Sequence, residues 1–277
     1  MHFNFIKNTI LLFVLILLSC RNNSNSQTPD LKNTAPILLG AQQTERYLPI
    51  LKNKNIGIVA NQTSVIFNPE GYTHLVDSLL SLNINVKKVF APEHGFRGTA
   101  DAGEYVKDGV DAGSGIPIVS LYGANKIPNS AILSDLDVVI FDIQDVGARF
   151  YTFLSTLHYM METCANLGIT VLVLDRPNPN GHYVDGPTLD LKYTSFVGIH
   201  PVPVVHGMTV GEYAQMINGE DWLKEGVKCD LKVISLQNYT HSTSYKLPIN
   251  PSPNLPNSKA INLYPSLCFF EGTNMSM

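Results

Sequence analysis

Residues 136–143, LDVVIFDI, are the strongest constraint on what this 277-residue chain can fold into. The run is apolar and β-branched, too short for an ordinary helix and too continuous for a strand with one wet face. A strand apolar on both faces has to be covered on both, as in the interior of a parallel sheet. Similar runs recur at 55–61 (NIGIVAN), 86–90 (VKKVF), 117–121 (PIVSL), 169–174 (ITVLVL) and 230–236 (DLKVISL). Helical stretches separate them. Residues 151–167 hold apolar side chains at helical spacing and run into Gly168, which suits a left-handed C-terminal cap. Residues 209–218 open on Thr-Val-Gly-Glu, a capping-box pattern. Residues 75–82 and, despite Pro49, 40–51 also predict helix. This alternation predicts an α/β fold, a mostly parallel sheet with helices on both faces.

The first residues carry an address. Lys7 precedes an unbroken apolar run at 10–18, shorter than a membrane span, which predicts an export signal over 1–19. Leu17-Leu18-Ser19-Cys20 follows directly and resembles a bacterial lipobox, in which the thiol is acylated and the chain is cut before it. An ordinary signal peptide with an incidental Cys20 is the alternative. Lipidation predicts a membrane-anchored protein facing the periplasm or the cell surface. Residues 21–30 (RNNSNSQTPD) are polar and turn-rich, so 20–36 predict a flexible tether. The folded domain is expected over 37–240. Residues 241–277 are expected to be a linker and the beginning of an incomplete C-terminal domain.

Several partners are disfavoured. A net charge of −4 without a basic stripe argues against nucleic acid. Cys164, Cys229 and Cys268 have no C-x-x-C spacing, which disfavours a zinc site and predicts buried free thiols over a disulfide framework. No G-x-G-x-x-G follows the first strand, so no dinucleotide is indicated. No cofactor is expected.

In a parallel sheet the carboxyl ends of the strands share one edge, so the polar clusters after them converge. Asn61, Gln62 and Thr63 follow the first run. Glu93, His94 and Arg97, then Asp101 and Glu104, follow the second, in and after FAPEHGFRGT at 90–99. Tyr122 follows the third. Asp142, Gln144, Asp145 and Arg149 follow the strongest run. Asp175, Arg176, Asn178 and Asn180 fill a proline-punctuated loop, and His200 and His206 flank PVPVV at 201–205.

Each cluster has two readings. Glu93 is a positioned acid/base group on a loop shaped by Pro92 and Gly95, or the partner of Arg97 in an ion pair. His94 is a structural histidine or a sugar-binding or acid/base group. The planar fork of Arg97 suits a carboxylate clamp. One of Asp142 and Asp145 is as well placed to cap the helix beginning near Phe150. Loop 175–181 is a tight connection or a ligand-binding loop, and His206 belongs to a strand and turn or reaches the edge. Carboxylates paired on one edge suit glycoside hydrolysis, one protonating the leaving oxygen and another acting as base or nucleophile. A metal-dependent phosphoesterase would use the same carboxylates with His94, but no D-x-D or H-x-H spacing supports it. No metal site is expected.

Five segments carry a family resemblance: APEHGFRGTADAGE (91–104), FDIQDVGARFYTF (141–153), LDRPNPNG (174–181), VDGP (184–187) and NLYPSLCFFEGTN (262–274). In this order they resemble the NamZ-type exo-β-N-acetylmuramidases. The resemblance implies a Rossmann-like domain followed by a smaller C-terminal domain, with the active cleft between them. It implies release of N-acetylmuramic acid from the non-reducing end of peptidoglycan fragments, with Glu93 as acid/base. His94, Asp142 and Asp145 complete the expected catalytic set. Asn61, Arg97, Asp101, Glu104, Gln144, Arg149, Asp175, Arg176, Asn178, His206 and Glu271 are the expected substrate contacts, with Arg97 or Arg176 on the lactyl carboxylate. Family members continue past EGTN, so the chain is expected to be truncated relative to them. The alternative function is a lipid-anchored protein that binds muropeptides without cleaving them.

Overall fold

The computed structural model describes residues 35–97 and 107–273. The export signal, Cys20, Asp101 and Glu104 lie outside the described residues. Ile37–Met277 form one compact unit.

The expected sheet is present. Strands β1 (Ile56–Ala60), β4 (Val86–Ala91), β6 (Pro117–Ser120), β7 (Val138–Asp142), β8 (Thr170–Leu174) and β9 (Leu231–Ile234) are parallel, and the short β5 (Gly109–Val110) pairs antiparallel on one edge. The order is β5-β6-β4-β1-β7-β8-β9. The chain therefore winds outward from β1 through β4 and β6, returns, and winds the other way through β7, β8 and β9. The reversal opens a crevice between β1 and β7 at their carboxyl ends, where such sheets bind ligands.

Every residue of β1, β7 and β8 is buried. Successive side chains point to opposite faces, so one strand feeds two cores. Val139 and Phe141 join the core under α4 (Phe153–Leu167), α5 (Val210–Gly219) and α6 (Ser258–Leu267), while Val138 and Ile140 join the core under α1 (Thr44–Leu51) and α2 (Leu75–Ser81). Each fully buried side chain of this size contributes about 1.5–3 kcal/mol. The short α3 (Ser130–Leu133) adds Leu133 to the first core.

Local signals hold where they were strongest. Helix α4 ends at Gly168 with φ +68°, whose N–H bonds the carbonyls of Ala165 and Cys164. Helix α5 opens on the expected reciprocal box: Thr209 Oγ1 accepts from Glu212 N–H at 3.2 Å, and Glu212 Oε2 accepts from Thr209 N–H at 2.8 Å. Cys164, Cys229 and Cys268 are buried free thiols.

Three expectations need correction. Residues 40–51 are not one helix. Gly40 N–H bonds the Asp175 carbonyl at 2.9 Å, which ties a 3-10 turn at Gly40–Gln42 to the end of β8 and separates it from α1. A hairpin, β2 (Val65–Asn68) with β3 (Gly71–His74), occupies a stretch that had carried no element. Residues after 240 are not a linker in their packing, because Leu247, Leu255, Ile261, Tyr264 and Cys268 are buried in the core that contains α4. Among the described residues no helix is long and apolar enough to cross a membrane.

Candidate active site

The crevice between β1 and β7 is stitched by side chains that follow those strands. Asn61 Oδ1 accepts from Thr63 N–H at 2.9 Å and Thr63 Oγ1–H at 2.6 Å, and Thr63 Oγ1 accepts from Gln144 N–H at 3.0 Å. Ser64 Oγ–H donates to the Asp142 carbonyl. Gln144 Nε2 donates to the carbonyls of Pro177 (2.7 Å) and Asp145 (2.8 Å), tying β7 to the loop after β8. That loop is held by its own asparagines: Asn178 Nδ2 donates to Met208 O at 2.9 Å and Asn180 Nδ2 to Val146 O at 2.8 Å. Gly147, at φ +79°, lets the chain pass Asn178, because a Cβ there would lie 2.3 Å from Asn178 Oδ1.

Several expected site residues turn out to be committed elsewhere. Arg176 and Asp142 form a buried two-point pair, so the geometry weighs against Asp142 as an acid/base group and against Arg176 as a substrate clamp. Asp175 is buried under the start of α5, accepting from Gly211 N–H at 2.8 Å, Thr209 Oγ1–H at 2.9 Å and Arg176 N–H at 3.0 Å. Burial still pushes its carboxyl up to about 6. Arg149 spends Nη1 on the carbonyls of Pro187 and Val202, and burial lowers its pKa. Arg97 is paired with Asp111. Its Nε and Nη2 bond the two oxygens of Asp111 at 3.2 and 2.8 Å. That guanidinium, with Ser114 adding to it, holds Asp111 at about 2.

Tyr151 senses several of the remaining charged groups. Burial raises its hydroxyl pKa, and the charges of Asp145, Glu93 and Glu271 add to it. The charges of three carboxylates from three parts of the chain thus reach one phenol. Glu93 accepts from Thr152 Oγ1–H at 3.4 Å and from the Tyr122 hydroxyl. Burial, then the Glu93 charge, pushes Tyr122 up to about 12. Glu271 is exposed as a residue, yet its carboxyl rests on Tyr264 and is raised first by partial burial and also by Glu93. Asp145 Oδ2 accepts from Gly147 N–H at 2.6 Å, while its Oδ1 is buried without a partner. His206 Nε2 lies 3.7 Å from Asp145 Oδ2. Asn61 Nδ2 and His206 Nε2 are likewise buried and unpartnered. Such orphaned atoms are costly in a folded chain, and each calls for a bound water, an ion or a functional role.

The loop bearing Glu93 is strained. His94 has φ +68° and its side chain is buried. A left-handed non-glycine residue costs on the order of 1–3 kcal/mol and concentrates at functional sites. Among the described residues no group of three or more His, Cys, Asp and Glu side chains is placed to hold a metal ion.

The edge therefore brings together Glu93, Asp145, Glu271, Asn61 and His206, and gives Asp142, Asp175, Arg97, Arg149 and Arg176 to internal partners. Tyr151, Tyr264 and Asp111 were not anticipated. Tyr151 lies within an aromatic helix start that reads as core, and its packing is core packing, with Phe153 at 4.8 Å and Tyr264 at 5.7 Å between ring centroids. Tyr122 follows β6 at the same edge, which is the signal that points to it.

The chain is similar to known proteins over most of its length. Residues 56–259 match the family described as "Exo-beta-N-acetylmuramidase NamZ, N-terminal". It is 39% identical over 235 residues to "Peptidoglycan beta-N-acetylmuramidase NamZ" of Bacillus subtilis strain 168, covering 83% of this chain and 55% of that protein. Two crystal structures of DUF1343 family proteins from Bacteroides fragilis NCTC 9343 share the fold. One is 52% identical with a TM-score of 0.77, covering 86% of this chain and 63% of that one. The other is 31% identical with a TM-score of 0.76, covering 85% and 60%. The chain thus spans about half the length of the curated relative. The match in sequence and in fold agrees, and the chain belongs to the NamZ exo-β-N-acetylmuramidase family.

Proposed function

We propose that this chain carries the acid/base face of a glycosidase that releases N-acetylmuramic acid from the non-reducing end of peptidoglycan fragments. The observation that carries the proposal is the set of three carboxylates, Glu93, Asp145 and Glu271, whose charges reach Tyr151 in a chain 39% identical over 235 residues to a peptidoglycan β-N-acetylmuramidase. Glu93 is the acid/base group: it is partly exposed, held by Thr152 and Tyr122, and mounted on a strained loop. It donates its proton to the glycosidic oxygen as the bond to the sugar breaks, and then takes one from water. Asp145 and Glu271 face the positive charge that develops on the sugar ring. Asn61 Nδ2 and His206 Nε2 supply donors for sugar hydroxyls or the acetamido group. Arg97 and Arg176, occupied by Asp111 and Asp142, are not the clamp for the lactyl carboxylate.

Incubation of the purified chain with a chromogenic N-acetylmuramide tests this. Release is expected, with Glu93→Gln slower by about 10²-fold or more and unchanged in circular dichroism. Tight binding without release by the unaltered chain would make it a muropeptide-binding protein instead.

The LLSC segment at 17–20 supports lipidation of Cys20, with residues up to 36 tethering the domain outside the cytoplasmic membrane, where wall fragments are available. Cys20→Ser is expected to move the protein from the membrane to the soluble fraction. Full membrane retention of that variant would count against the anchor.

A further inference from the structure

Behind the site wall, α4 and α5 enclose a line of titratable groups that glycoside hydrolysis does not use. Tyr213 Oη lies 3.1 Å from His200 Nδ1, His200 Nε2 lies 2.9 Å from His158 Nδ1, and His158 Nε2 faces Glu162 Oε2 at 3.7 Å. Tyr213, His200 and His158 are buried, and Glu162 is partly exposed at the outer end. Trp222 stacks on His200 with ring centroids 4.6 Å apart, and Tyr159 packs edge-on to His158 at 5.3 Å. Apolar side chains would join these helices without the cost of burying two imidazoles, so the line calls for a reason.

Counting protons gives the line a direction. The Tyr213 hydroxyl has one proton, each neutral imidazole has one, and an ionised Glu162 has none. Suppose the protons point toward Tyr213. His158 then sets a lone pair against the Glu162 carboxylate, and the Tyr213 proton has no acceptor among the described residues. Suppose they point the other way. Tyr213 O–H donates to His200 Nδ1, His200 Nε2–H donates to His158 Nδ1, and His158 Nε2–H points at Glu162. Every donor then faces an acceptor. Burial favours the neutral rings this count assumes: it lowers His158, and with His158 beside it drives His200 to about 3.

The inner end reaches the site. The Tyr213 ring meets His206 edge-on with centroids 5.0 Å apart. Met208 N–H donates to His206 Nδ1 at 3.2 Å, which leaves Nδ1 an acceptor and puts a proton on Nε2, 3.7 Å from Asp145 Oδ2. We infer that His158 and His200, oriented by the charge of the Glu162 carboxylate, form a one-way hydrogen-bond relay that fixes Tyr213 as a positioning residue for His206 and thereby for Asp145. Only the last link rests on the glycosidase proposal; the relay does not.

Histidine tautomers, measured by ¹⁵N NMR on the full chain, test it directly. His158 and His200 are expected to be neutral Nε2–H tautomers at pH 7, not titrating near the ordinary value of about 6.5, and His206 is expected to carry a proton on Nε2. In Glu162→Gln, at the partly exposed end, the new amide can donate as well as accept. A second, Nδ1–H population is expected at His158 and His200 with the fold intact. In Tyr213→Phe the His206 resonance is expected to move, and kcat on the chromogenic muramide to fall several-fold with KM kept. An Nδ1–H tautomer at His158 or His200 in the unaltered chain, or titration of either near 6.5, overturns the relay. An unmoved His206 resonance in Tyr213→Phe overturns the link to the site. An unaltered chain without glycosidase activity speaks against the glycosidase proposal alone, because the NMR outcomes do not depend on turnover.

Discussion

Arg176 and Asp142 meet at two points, Nε to Oδ1 at 2.6 Å and Nη2 to Oδ2 at 2.9 Å, with both side chains buried at the carboxyl edge of the sheet. Arg176 Nη2 also reaches the Val65 carbonyl at 3.2 Å, so the pair locks the loop after β8 to the start of the β2–β3 hairpin. Removing either partner leaves the other charge buried alone. Asp142→Asn or Arg176→Met is expected to lower unfolding stability by about 3–5 kcal/mol, read from chemical denaturation. Unchanged stability with lost glycosidase activity in Asp142→Asn would return Asp142 to the catalytic set.

The Asp111–Arg97 pair predicts a pH dependence. Hydrogen bonds and charge from Arg97 hold Asp111 at about 2, below its ordinary 3.8. A carboxylate lowered in the folded state adds stability that is present above its unfolded value and is lost as pH falls through the folded one. The Arg97 side chain is 39% exposed, so solvent screens much of the effect. Asp111→Asn is expected to cost about 1 kcal/mol at pH 7 and almost nothing at pH 2, measured as urea midpoints at the two pH values.

The buried imidazoles act in a different window. Burial lowers His158 and places His200 at about 3. Above about 6.5 both are neutral, folded or unfolded. As pH falls from about 6.5 toward 3 the unfolded chain takes protons that the folded chain refuses, so stability declines across that range. Replacing both with Gln is expected to flatten this limb. A limb of undiminished slope in the double variant would place its origin elsewhere, for which His74, also lowered by burial, is the next group to test.

Gly147 and Gly115 form a matched comparison. Both have positive φ, +79° and +73°, but a Cβ at Gly147 would strike Asn178 while one at Gly115 meets nothing within 4 Å. Gly115→Ala is expected to cost about 1 kcal/mol of backbone strain, and Gly147→Ala clearly more. Thermal melts of the two variants give the difference. Equal losses would show that Asn178 yields without cost.

What was legible in advance follows from how local each signal is. The run LDVVIFDI, the Gly168 cap and the Thr209–Glu212 box each act within one strand or one helical turn, and each stands where the pattern puts it. The β2–β3 hairpin escaped because its residues are mostly exposed, so no apolar alternation marks it. Residues after 240 looked like a linker because Leu247, Leu255 and Tyr264 are spaced without a period; their burial depends on α4, about a hundred residues earlier.

The site divides in the same way. Strand alternation alone required that the groups after β1, β4 and β7 share one edge, and Asn61, Glu93 and Asp145 do. Which charges stay free there was decided by the tertiary structure. Arg176 finds Asp142 from 34 positions away and Arg97 finds Asp111 from 14, while the charges of Glu93, Asp145 and Glu271 all reach a tyrosine that reads as core. The physical reason is range. Periodicity and caps are set by contacts within a few residues, whereas a side chain's partner is set by which loops the sheet brings side by side.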